Sequence, residues 1–237
     1  MGRKPRFNLV GVTQHVIQRG NNREPCFYSE EDYSTYLSFL KIAADKNNCH
    51  IHAYVLMTNH VHLLMTPMQA HGISTVMQSL GKRYVQYINK VYKRTGTLWE
   101  GRYKASLVDT HNYLLTCMRY IELNPVRAGM VSLPSEYRWS SYSCNGAGND
   151  NENIRPHPLY LALGSNEVER CFSYRELFRN KIDNELLHDI RESVNQDLVL
   201  GRDDFKDKIE AALERSVRRG VPGRPCVKEG VGDYVIY

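Results

Sequence analysis

The chain has 237 residues, 42% of them hydrophobic and 24% charged, enough to bury one sizeable core and ordinary for a globular protein. No stretch approaches the roughly 18 consecutive apolar residues of a membrane span, and the basic start MGRKPRFNLVGV lacks the apolar run of a secretory signal, so a cytoplasmic location is expected. The net charge of +5 is uneven: residues 1–143 carry 17 Lys and Arg against 9 Asp and Glu, whereas residues 144–237 carry 14 against 17. The basic excess therefore lies in the first part, which is where a polyanionic partner is expected to bind. Six cysteines with no CxxC pair support neither a zinc knuckle nor a redox pair.

GVTQHVIQRG reads as a strand closed by the turn-forming Gly20, Asn21 and Asn22. Ser29 followed by Glu30, Glu31 and Asp32 opens a helix, with Tyr33, Tyr36, Leu37, Leu40 and Ala44 as its apolar stripe, which ends near Asn47 and Asn48. Residues 50–57 and 60–65 predict two antiparallel strands around a tight turn at Thr58 and Asn59. A long helix is expected over residues 72–92, then a short strand over 103–108. A helix over 111–123 follows, capped by Asp109 and Thr110 and stopped by Pro125. The order β-α-β-β-α-β-α is the ferredoxin-like split βαβ arrangement, an α+β antiparallel sheet with helices mainly on one face and one added helix. The Gly-, Asn- and Pro-rich residues 144–158 read as a linker, residues 159–219 as a small helical domain of three or so short helices, and 220–237 as a basic, Gly/Pro-punctuated tail.

The chemistry concentrates in NHVHLL. His60 and His62 are separated by one residue on a strand, so they share a sheet face and form a two-nitrogen claw. Imidazole suits several divalent metals, and one more donor completes a site with open positions for a phosphate. The added helix offers Tyr120 and Asn124 at i and i+4 on one face: an amide oxygen as the third donor and a phenol as neighbour. Glu122, two positions from Tyr120, faces elsewhere and is expected to be solvated. His15, on the first strand, can approach the site but the pattern does not require it.

The segments HAYVLM and NHVHLL, then LWEGRYKASLV, then YLLTCMRYIELNPVRAGMV resemble the single-tyrosine HUH (IS200-like) transposases, in particular the REP-associated tyrosine transposases, over roughly residues 8–143. The resemblance implies a strand-transferase that cleaves and rejoins single-stranded DNA at palindromic hairpin repeats. Tyr120 is then the nucleophile, forming a 5′-phosphotyrosine link and a free 3′-OH. His60, His62 and Asn124 are then the ligands of Mg²⁺ or Mn²⁺. It leaves open a monomer or a homodimer, with the tyrosine helix meeting its own or a partner's histidines.

Cations interleaved with aromatic residues suit a single strand, and Lys82, Arg83, Lys104 and, above all, Arg19, Arg23, Arg102 and Arg127 are the expected DNA contacts. In the tail, Gly223, Arg224 and Pro225 resemble the family's GRP-type tails, so Arg224 joins them. Two other classes stay open: a catalytically idle regulator that binds hairpin DNA, and an RNA hairpin-binding protein, since ferredoxin-like sheets also serve RNA recognition.

Overall fold

The computed structural model describes residues 5–218. Strands β1 (Gln14–Arg19), β2 (Cys49–Met57), β3 (His60–Pro67), β4 (Lys104–Val108) and β5 (Val199–Leu200) form one sheet in the order β2-β3-β1-β4-β5. The first four pair antiparallel in the ferredoxin-like order, with helices α1 (Glu30–Lys46) and α2 (Gly72–Val91) as crossovers. Then come α3 (Thr110–Glu122), α4 (Asn124–Arg127), α5 (Tyr142–Asn145), α6 (Pro158–Leu161), α7 (Glu167–Glu176), α8 (Asn184–Asn195) and α9 (Asp203–Leu213). The architecture is α+β, as expected. Among the described residues no helix is long and apolar enough to cross a membrane.

Alternation along the strands gives the sheet two different faces. On one, Val16, Ile51, Leu56, Val61, Leu63 and Met65 pack with Tyr36 and Leu40 of α1 and Ile73, Leu80, Tyr84 and Ile88 of α2. Asp32, one of the acids of the first helical turn, is fully buried there. It accepts the N–H groups of Tyr28 and Ser29 and the hydroxyls of Tyr87 and Tyr92, at 2.7, 3.0, 3.0 and 2.9 Å, so one carboxylate caps α1 and ties it to α2.

The expectation of helices mainly on one face is corrected: the opposite face is covered as well. Leu114, Met118, Tyr120 and Ile121 of α3 pack with Ala53, Val55, Met57 and Leu64 of the sheet, and Tyr174 and Ile190 of α7 and α8 join the same core. The two-residue strand β5 was not expected; it pairs parallel to β4, Leu107 opposite Val199. Residues 139–141 also bind the β2 edge, where Trp139 C=O accepts Leu56 N–H and Ser141 N–H reaches Tyr54 C=O.

Candidate active site between the sheet and the tyrosine helix

β3 places His60, His62 and Leu64 on the face covered by α3, and the antiparallel register puts Arg19 opposite His60, Ile17 opposite His62 and His15 opposite Leu64. The claw is formed: the rings of His60 and His62 have centroids 5.1 Å apart. Each ring is held through its Nδ1. His60 Nδ1 lies 2.7 Å from Asn59 Oδ1, an oxygen that can only accept, so Nδ1 carries the proton. His62 Nδ1 lies 2.8 Å from His15 Nε2. Both Nε2 atoms are thereby left without a hydrogen-bond partner among the described residues and are available as ligands.

The support behind Asn59 is a tight loop. Asn59 donates its Nδ2–H to Arg23 C=O at 2.8 Å, and its own carbonyl accepts Gly20 N–H at 2.8 Å. Only glycine fits at 20, because a Cβ there would stand 2.3 Å from Glu24 O. Asn22 and Arg23 both adopt left-handed backbone, with φ of 51° and 61°, a conformation that costs non-glycine residues roughly 1–3 kcal/mol each.

Burial sets the charge state. His15 is pushed down to about 3, by burial first and then by the Arg127 guanidinium, and His60 to about 4, by burial and Arg19. His62 falls well below 6.5 through burial, then His15, His60, Arg127 and Arg19. All three imidazoles are neutral at pH 7, the form a metal requires.

Tyr120 comes to this site from the same chain. Its ring lies 5.9 Å from that of His62 and 5.7 Å from that of His15, both edge-on. Arg127, expected as a DNA contact, places its guanidinium 4.0 Å from the Tyr120 ring centroid, half-buried, with Nη1 lacking a partner among the described residues. Burial lowers its pKa and the Tyr120 oxygen raises it; the group stays charged. Pro125 ends α3 as expected, and Asn124 opens α4. The Asn124 Nδ2 donates to the Tyr120 and Ile121 carbonyls, both at 3.1 Å, while its Oδ1 accepts Arg127 Nη2 at 2.8 Å.

Two imidazole nitrogens and one amide oxygen make a mixed borderline and hard donor set, a chemistry compatible with a divalent ion that keeps open positions. The set offers two neutral Nε2 atoms and one amide oxygen that keeps a second lone pair beside Arg127. Among the described residues no group of three His, Cys, Asp or Glu side chains converges, so the closed sites typical of structural zinc are absent there.

Other expected residues scatter. Arg19, Arg102 and Lys104 line a cleft beside His60. Arg23 is exposed in the loop under Asn59. Lys82 and Arg83 lie on α2, across the sheet from the claw, where the Arg83 guanidinium covers the Phe39 ring at 4.6 Å. Arg224 lies outside the described residues. The expectation of a solvated Glu122 is corrected: it is fully buried and accepts hydrogen bonds from Ser141 Oγ, Asn145 Nδ2 and Tyr174 Oη at 2.6, 2.8 and 2.7 Å.

The site residues fall almost wholly within residues 8–124, which match the model of the family described as "Transposase IS200 like". Residues 8–124 belong to the IS200-like transposase family. Among solved structures, the chain is similar to that of a REP-associated tyrosine transposase bound to a REP hairpin, at 19% identity and a TM-score of 0.54, over 66% of this chain and 93% of that one. A protein of Deinococcus radiodurans R1 assigned as a transposase aligns at 22% identity and a TM-score of 0.36, over 52% of this chain and 95% of its own. No curated protein matches the chain. At these identities the structural likeness concerns the fold, which the first of the two shares over 66% of this chain.

Proposed function

We propose that this IS200-like transposase cleaves and rejoins single-stranded DNA through Tyr120, at hairpin-forming palindromic repeats like the REP hairpin of the structural relative. One observation carries the reading: within a single chain, the Tyr120 ring stands 5.9 Å from His62 under the Arg127 guanidinium. A single chain thus supplies nucleophile, claw and cation.

His60, His62 and Asn124 would hold Mg²⁺ or Mn²⁺, which when bound supplies positive charge to the non-bridging oxygens of a phosphate. The remaining work belongs to the chain. Asn59 and His15 fix the two imidazoles with Nε2 outward. Arg127, charged throughout, offsets the negative charge that develops on the Tyr120 oxygen as its proton leaves. Asn124 holds Arg127 in that place. The Tyr120 oxygen then forms a bond to phosphorus as the bond from phosphorus to the 3′ oxygen breaks, and that oxygen leaves as a 3′-OH on taking up a proton. The product keeps a phosphodiester on the tyrosine, so attack by a 3′-OH reverses the step and reseals a strand with no external energy source.

The experiment uses hairpin DNA labelled on the 3′ side of the cleaved link, incubated with full-length protein and Mg²⁺ and boiled in detergent. Wild type retains the label covalently and Tyr120→Phe does not. An adduct that persists in Tyr120→Phe overturns the nucleophile. Hairpin binding without adduct on any single-stranded substrate establishes the idle regulator instead.

A further inference from the structure

Beside His60, where β1 leaves the sheet, a cleft of about 360 Å³ opens between the start of β4 and the turn joining α8 to β5. Its size falls within the roughly 300–1,000 Å³ of ordinary ligand sites. Its wall is assembled from distant parts of the chain: Arg6, then Arg19, then Glu100, Arg102 and Lys104, then Asn195 and Asp197.

The wall is built rather than incidental. Arg6 Nη1 donates to Asp197 Oδ1 at 2.8 Å, the same oxygen accepts Ala105 N–H at 2.9 Å, and the Arg6 guanidinium covers the Tyr103 ring at 4.3 Å. Asp197 holds this place in left-handed backbone, with φ of 53°. The charge of Arg6 is therefore matched within the protein. Arg19, Arg102 and Lys104 form no ion pair among the described residues, and with only Glu100 as a further carboxylate in the lining the cleft keeps an excess of positive charge. Strand register sets its position. Ile17, on the cleft floor, lies between His62 on β3 and Lys104 on β4, and Arg19 lies opposite His60. The cleft is thus one strand away from the claw, on the same sheet face.

We propose that this cleft seats one nucleotide of the substrate strand, adjacent to the phosphate at the claw, with Arg19, Arg102 and Lys104 on its phosphates and Ile17 beneath its sugar. The inference rests on the reading that the site acts on single-stranded DNA. It assigns residues 195–197, beyond the 8–124 family match, a share in holding that strand. Three cations that hold phosphates release counterions from the strand, so their contribution is measurable as salt dependence.

The test measures binding alone, without divalent ion. Full-length Tyr120→Phe protein is titrated against fluorescein-labelled oligo-dT at a series of KCl concentrations. Removing two contacts with Arg102→Ala and Lys104→Ala lowers the slope of log affinity against log salt by about 1.4, about 0.7 per phosphate contact on a single strand. Both side chains are exposed, so the fold tolerates the changes. Lys46→Ala with Lys90→Ala, exposed on α1 and α2 across the sheet, leaves the slope unchanged. An unchanged slope in the first pair, or an equal fall in the second, overturns the proposal. In a second measurement, oligo-dT bearing 4-thiothymidine is irradiated; cross-links to peptides containing Gly101 or Asn195 support the seat, and cross-links confined to α2 overturn it. The two readings fail separately. A fall in slope for protein that never forms an adduct removes the chemistry and leaves the seat, and an adduct with an unchanged slope does the reverse.

Discussion

His62 and Leu63 are neighbours on β3 that point to opposite sides of the sheet, and their surroundings differ in kind. Leu63 is enclosed by the aliphatic and aromatic side chains of α1 and α2. His62 is as deeply buried, yet it meets His15, His60, Tyr120 and the charge of Arg127. Burial of polar groups costs free energy unless each is partnered, so a second core made of imidazoles and a guanidinium is a poor solution for stability alone. One face therefore supplies the cohesion that lets the other hold a partly unsatisfied polar cluster, in which His15 Nδ1 and Arg127 Nη1 lack partners among the described residues.

Substitution on each face breaks or sustains that contrast. Tyr120→Phe removes one oxygen and keeps the ring; covalent adduct falls to the detection limit while the urea midpoint stays within ~0.5 kcal/mol of wild type. Leu63→Ala has the reverse signature. It costs about 2–5 kcal/mol of stability by urea unfolding, and the adduct formed per folded molecule is unchanged. A loss of stability from Tyr120→Phe as large as that from Leu63→Ala would erase the distinction between the faces.

Glu122 sharpens the comparison, because it is a polar group on the α3 side whose partners are all structural. Ser141 and Asn145, at the two ends of the α5 turn, and Tyr174 on α7 converge on it, so it ties α3, the helix of Tyr120, to the later part of the chain. Burial pushes it up to about 7 from 4.5, against the pull of the three hydrogen bonds. The folded state thus binds this proton more tightly than the unfolded state does. Its contribution is complete below pH 4.5 and is lost as the pH rises through 7. Glu122→Gln retains an acceptor for Ser141 and Asn145 with no proton to lose. Between pH 5 and 8 the stability of wild type should fall relative to this variant by roughly 3 kcal/mol at most, read by urea unfolding. Parallel pH profiles would show that the carboxyl is not protonated in the native state.

The sequence made legible what repeats with a period. Alternation on β3 separated the claw from Val61 and Leu63, and helical spacing found the α1 and α2 stripes. The i, i+4 relation drawn between Tyr120 and Asn124 spans a break, because α3 ends at Glu122 and Asn124 opens α4. What escaped depended on distant arrivals. Glu122 is solvated in any reading confined to α3, and becomes buried only when residues 141–174 close over it. Arg127 has the same composition signal whether it holds a phosphate or covers a phenol. β5 is two residues long and has no pattern of its own; its pairing with β4 is a tertiary fact. Asn59 read as a turn residue, although an amide immediately before a candidate ligand histidine is itself a signal for a group that orients the ring.

The smallest expected effect concerns those orienting groups. His15→Leu leaves His62 Nδ1 without a partner and frees its tautomer, so Mn²⁺ affinity, read by EPR titration in the absence of DNA, should fall about 10–100-fold. His15→Gln carries an oxygen to about the position of Nε2 and should recover most of that loss, which simple repacking of the core does not explain. Asn59→Ala should weaken Mn²⁺ comparably through His60, and the strained Asn22–Arg23 loop should then relax, since it no longer supports a bound ring. If His15→Leu and His15→Gln bind Mn²⁺ alike, His62 is oriented by packing alone. The polar face then differs from the apolar one in composition but not in how it positions its side chains.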